Sequence, residues 1–124
     1  MKKADVKKDD WEWFGYAGHF ICSSDCLFHM STRVGGKYLV STAGDLRPYQ
    51  KGGRAKTEPL GGNDDDLFET MVFKSTGIKS CGCCPAVDDY SELDGVRSAT
   101  ANEARETHMG LCRKYAKRAG RGKK

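Results

Sequence analysis

Cys26-Leu27-Phe28-His29-Met30-Ser31-Thr32-Arg33-Val34-Gly35-Gly36-Lys37-Tyr38-Leu39-Val40-Ser41-Thr42 reads as two strands around a tight turn. Side chains alternate across a strand, so Phe28, Met30, Thr32 and Val34 share one face. Leu27, His29, Ser31 and Arg33 share the other. Gly35-Gly36 supplies the backbone freedom that a two-residue hairpin requires. Upstream, Gly18-His19-Phe20-Ile21-Cys22 predicts a short strand, and Ser23-Ser24-Asp25 a turn. Downstream, Leu67-Phe68-Glu69-Thr70-Met71-Val72-Phe73-Lys74 is the clearest further strand. Phe68, Thr70 and Val72 take one side; Leu67, Met71 and Phe73 take the other, with Glu69 interrupting. Two fairly apolar faces place this strand inside the sheet.

The C-terminal third has a different period. Ser98 or Thr100 can cap a helix that runs to about Arg118. Ala101, Ala104, His108, Leu111 and Tyr115 recur at spacings of three and four, which marks a buried stripe. Glu103 and Glu106 sit near the start and basic residues near the end, as the helix dipole favours. Gly110 weakens the interior and allows a close approach to the sheet. Asp88 to Val96 reads as a turn-rich connection. The expected fold is α+β: a small antiparallel sheet of about four strands with one C-terminal helix. One domain spans 11–118, after a polar arm at 1–10 and before a basic tail at 119–124. A long Gly- and Pro-rich loop spans 43–66.

The composition limits what holds this together. The 124 residues suit one core. Ile, Leu, Val and Phe together number only 20, supplemented by five Tyr, two Trp, four Met and six Cys. So lean a core gains from a cross-link or a bound ion. No apolar run approaches the roughly 20 residues that cross a bilayer, so no membrane segment is expected. Met1–Asp10 lacks an apolar h-region, so no secretory signal is expected.

Charge is uneven. The formal net charge is +4, from 21 Lys and Arg against 17 Asp and Glu. Residues 113–124 hold seven of the basic groups and no acid: Arg113, Lys114, Lys117, Arg118, Arg121, Lys123 and Lys124. Arg47, Lys51, Arg54 and Lys56 make the first half of the long loop basic as well. Both groups are candidate contacts for a phosphate backbone, whose counterions they would release, or for another partner. Asp64-Asp65-Asp66 is a solvated run, since consecutive carboxylates rarely converge on one ion. Trp11-Glu12-Trp13-Phe14-Gly15-Tyr16 is the densest aromatic cluster, suited to core or rim packing or to stacking against bases.

Six Cys and three His, without a secretion signal, point to metal more than to disulfides. Cys81, Cys83 and Cys84 lie in a turn-shaped Cys-Gly-Cys-Cys-Pro segment. His108 and Cys112 are four apart on the predicted helix and face the same way. Cys81, Cys83, His108 and Cys112 make a tetrahedral structural zinc set, with Cys84 as the alternate to Cys83. The other reading is a helix with a buried His and small apolar Cys. His19, Cys22, Cys26 and His29 form a second ligand-like string, H-x2-C-x3-C-x2-H, but strand alternation turns each His away from its Cys. Cys22 or Cys26 with His19 or His29 is also the only local nucleophile–base pair. No oxyanion hole, deaminase signature, phosphate loop or dinucleotide loop accompanies it.

Gly18-His19-Phe20-Ile21-Cys22, Tyr38-Leu39-Val40-Ser41-Thr42 and Glu69-Thr70-Met71-Val72-Phe73 resemble stretches of small uncharacterised proteins encoded by bacteriophages and prophages. The Cys81–Cys84 segment and the His108–Cys112 helix extend that resemblance. It implies action in the cytoplasm of an infected or lysogenic bacterium and brings no activity or site residue. The expected function is therefore a small phage-type binding module without catalysis, holding a structural zinc and binding nucleic acid through tail and loop. A counter-defence or host-takeover protein that inhibits a host protein is the alternative, and a Cys/His-dependent enzyme the second alternative.

Overall fold

In the computed structural model, the residues described are 11–14, 26–47, 49–50, 52–54, 67–76 and 86–121. Their strands are β1 (Trp11–Phe14), β2 (Cys26–Val34), β3 (Tyr38–Leu46), β4 (Tyr49–Gln50), β5 (Gly53–Arg54), β6 (Phe68–Lys74) and β7 (Asp89–Ser98). One helix, α1 (Ala101–Arg121), follows. Five strands form an antiparallel sheet in the order β1-β2-β3-β6-β7, and β4-β5 is a separate small hairpin. The fold is α+β, with the helix on one face of the sheet.

The β2–β3 hairpin is the expected one. Gly35 and Gly36 have φ of 61° and 67°, and Lys37 N–H donates to the Val34 carbonyl at 3.2 Å. Positive φ at both central positions is what the primed turn demands. Paired residues on neighbouring strands share a face, so the register defines the helix-facing side. Trp13 pairs with Thr32, Thr32 with Val40, Thr42 with Thr70, and Thr70 with Val96. Val34, Val40 and Val72 on that side bury against Leu111, Cys112, Tyr115 and Ala116 of α1. Tyr38 meets Tyr115 edge-on at 5.0 Å between centroids. The opposite face carries Arg33, Leu39, Ala43, Glu69 and Phe73, all buried. Arg33 Nε donates to Glu12 at 2.7 Å, and Arg97 pairs with Glu69 at 3.1 Å.

The helix is capped by Thr100, not Ser98. Thr100 Oγ1 accepts from the Glu103 N–H at 3.1 Å, and Glu103 Oε1 accepts from the Thr100 N–H at 3.2 Å. This reciprocal box satisfies two otherwise unpaired donors. The buried stripe is Ala104, His108, Leu111, Cys112, Tyr115, Ala116 and Ala119; Ala101 is exposed, one turn too early to reach the sheet. A β-carbon at Gly110 would meet nothing within 4 Å, so this glycine serves no close approach.

Other expectations change. Asp89–Ser98 is not a turn-rich connection but the edge strand β7. An edge strand needs only one partner and exposes most of its side chains, so Asp-Tyr-Ser-Glu-Leu-Asp-Gly carries no apolar alternation. Among the described residues the sheet has five strands, where about four were expected, because β1 and β7 join β2, β3 and β6. β3 continues to Leu46 and β4-β5 follows, so 43–66 is not loop throughout. α1 reaches Arg121, which draws the first part of the 119–124 tail into the helix. The arm at 1–10 and the strand expected at Gly18–Cys22 lie outside the described residues.

One glycine is required by contact. A β-carbon on Gly44 of β3 would stand 2.1 Å from the Phe68 ring, which itself packs edge-on against Phe28 at 5.1 Å. Gly44→Ala is expected to cost about 1–3 kcal/mol through overpacking. A urea melt checks it: an unchanged midpoint means the Phe68 ring can swing aside freely.

Candidate metal-ligating cluster and basic helix face

His108 lies at the centre of the helix–sheet interface with no exposed surface. Three strands present threonines to it. Thr32 Oγ1 is 2.8 Å from its Nε2, and Thr42 Oγ1 is 2.7 Å from its Nδ1. Thr42 Oγ1 also bonds Thr70 Oγ1 at 2.9 Å, and Thr32 bonds the Cys112 side chain. The chain runs Thr70–Thr42–His108–Thr32–Cys112. A neutral imidazole donates from one nitrogen and accepts at the other, and hydroxyls serve either role, so every member is satisfied. Trp13 closes one side, its ring stacked 5.7 Å from the imidazole at 28°.

Burial without a compensating charge sets the protonation states. The His108 pKa is pushed down to about 4 by burial, and the Cys112 pKa up to about 12, chiefly by burial. His108 is therefore neutral at pH 7 and Cys112 a thiol. A thiol so far from ionisation is a poor nucleophile.

The structure brings together the helix half of the expected zinc set. His108 and Cys112 both face the sheet, one turn apart, joined through Thr32. Both ring nitrogens are engaged by hydroxyls, so ligation by His108 requires one of those bonds to open. Cys81, Cys83 and Cys84 lie outside the described residues. Among the described residues no three His, Cys, Asp or Glu converge as a metal site. His19 and Cys22 also lie outside. Cys26 is buried against Ala43 and Leu46, and His29 is in register with Ala43. His29 is on the face of the sheet away from His108.

The basic candidates divide as sharply. α1 starts beside Ser98, which pairs with Phe68, and ends over Val34 and Tyr38. Arg47 follows the other end of β3, a nine-residue strand, about 27 Å away. Arg47 Nε is committed to Asp45 at 2.8 Å. Lys51 and Lys56 lie outside the described residues, as do the side chains of Arg54 and Arg121. Tail and loop thus do not form one patch among the described residues. Arg113, Lys114, Lys117 and Arg118 are exposed on α1. Lys114 Nζ donates to Asp94 of β7 at 3.0 Å, which holds the Asp94 carboxyl below its usual range. Lys114 and Arg118 both sit over the Tyr115 ring. Among the described residues Arg113 and Lys117 form no ion pair.

The threonine row is the part of this site that sequence reading missed. Thr32 and Thr70 were visible on the correct strand faces and Thr42 within its strand, but nothing in the chain pairs the three with one helical His. No family model, curated protein or solved structure matches the chain. Among the described residues no helix is long and apolar enough to cross a membrane.

Two measurements test the site. The folded His108 pKa lies below the unfolded value of about 6.5, so its burial stabilises the fold fully above pH 6.5. That contribution is lost as pH falls toward 4. Between pH 8 and pH 5 the loss is about 2 kcal/mol, and His108→Met should flatten this part of the pH–stability curve. Elemental analysis with a chelator challenge addresses the ion. One zinc per chain, lost together with Tm on chelation, is the outcome that the set Cys81, Cys83, His108 and Cys112 requires; no stoichiometric zinc and a Tm indifferent to chelator remove the ion from the fold and leave His108 to its threonines.

Proposed function

We propose that the protein is a small, non-catalytic binding module that engages nucleic acid through the outer surface of α1. The observation that carries this reading is the helix itself. From Thr107 to Arg121 it holds five basic residues and no acid. Its inner face is fixed to the sheet, so Arg113, Lys117 and Arg118 project from a rigid support. A one-signed stripe of this kind attracts a polyanion and releases its counterions. The resemblance to phage-encoded stretches fits such a role in the cytoplasm of a bacterial host.

Capture of a host protein is the second reading. It is favoured by Tyr90 and Leu93, both exposed on the edge strand β7. β7 is at the edge of the sheet among the described strands, and an edge with apolar side chains suits strand addition by a partner.

Salt titration separates the two. Binding to a duplex oligonucleotide, followed by anisotropy, should weaken with a log–log slope of about −3 for three phosphate contacts. Arg113→Glu with Lys117→Glu should abolish binding at moderate salt and leave Tm unchanged. A complex recovered from nuclease-treated lysate, with no affinity for oligonucleotides, supports the host-protein reading instead.

A further inference from the structure

The flank of α1 that faces β1 differs from the rest of the helix. Arg105, Met109 and Arg113 recur at four-residue spacing and so line up along it. With Met30 of β2 and Glu106 they line an open groove of about 380 Å³. Two thioethers give the groove an adaptable apolar lining. Two guanidinium groups and one carboxylate border it.

Trp13 stands beside this groove. It pairs with Thr32 on the edge strand β1, two residues along the same face from Met30. Its ring lies on His108, the residue before Met109. Yet Trp13 is 52% exposed. A tryptophan that is half in solvent and backed by a rigid buried ring, next to a helix whose flank carries Arg105 and Arg113, suits base stacking with cations for the adjoining backbone. An unpaired base has a free face for it; bases inside a duplex are already stacked on each other.

Resting on the nucleic-acid reading of α1, we infer that this flank binds a single strand, with one base stacked on Trp13 and the neighbouring phosphates on Arg105 and Arg113. Glu106 repels phosphate and so restricts the backbone to the arginine positions. The rest of the helix face adds sequence-independent attraction.

The test compares an oligothymidine of about 20 nucleotides with a duplex of the same length. The single strand is expected to bind about tenfold tighter, within the range that one stacked base supplies. In a Trp11→Phe background, Trp13 emission should be quenched by the single strand and not by the duplex. This readout leaves Trp13 and its packing on His108 intact. Trp13→Leu, once a thermal melt shows it folded, should remove the preference and keep the duplex affinity. Equal affinity for both forms, or unquenched Trp13, overturns the inference. If Arg113→Glu with Lys117→Glu still weakens both forms in that case, the nucleic-acid reading stands without the stacking site. If neither form binds at low salt, both fall.

Discussion

Everything in this fold turns on one buried polar contact set: a helical histidine inserted among threonines from three adjacent strands. Apolar burial alone is thin, since the main core cluster is three valines, one leucine and a few small or aromatic side chains of α1. Burial is directionless and leaves a helix free to slide or rotate over a sheet. Two hydrogen bonds at 2.7 and 2.8 Å fix both. Shifting α1 by one residue would strand both ring nitrogens and at least two hydroxyls away from water, each worth about 1–3 kcal/mol. The network therefore sets register at a cost in apolar contact, the use for which buried polar groups are best attested.

Legibility from sequence followed the strength of the local signal. β2, β3 and β6 alternate, the glycine pair encodes its turn, and α1 carries both cap and stripe; all were readable. β7 was not, because an edge strand half in solvent needs no apolar pattern, and Gly95 among Asp and Ser looks like punctuation. The end of β3 was hidden in the same way. Its Gly44 resembles loop glycine but is there to admit the Phe68 ring. Cys112 and His108 were found as a pair facing one way. What they face could not be found, since Thr32, Thr42 and Thr70 are separated by up to 38 positions and each is an ordinary strand residue. Threonine suits strands by its β-branching, so its second role as a hydrogen-bond partner leaves no trace in composition.

The same interface explains how the charge of α1 is arranged. The side facing the sheet is uncharged. The flank toward β7 is drawn down by Asp94, which holds Lys114 and meets the Tyr115 hydroxyl. The flank toward β1 has no such anchor among the described residues. Among the described residues Arg105 there bonds a neutral amide, Asn102, at 3.0 Å, and neither it nor Arg113 forms an ion pair. Helix charge is thus internally engaged on one side and available on the other. A sequence count of basic residues merges these two populations, although they differ in what they can still bind.

Rigidity also alters what the basic residues can do. In a frayed tail, every phosphate contact must order a long side chain and the backbone beneath it, at about 1–2 kcal/mol per residue for the backbone alone. On α1 the backbone has been ordered already by the cap at Thr100 and by the histidine at the centre. Contacts made from such a support keep more of their electrostatic gain as affinity. They also fix the orientation of the ligand, which a tail does not. On the nucleic-acid reading, a buried histidine that never meets the ligand would govern how well the outer face binds it, because it holds the helix that displays that face.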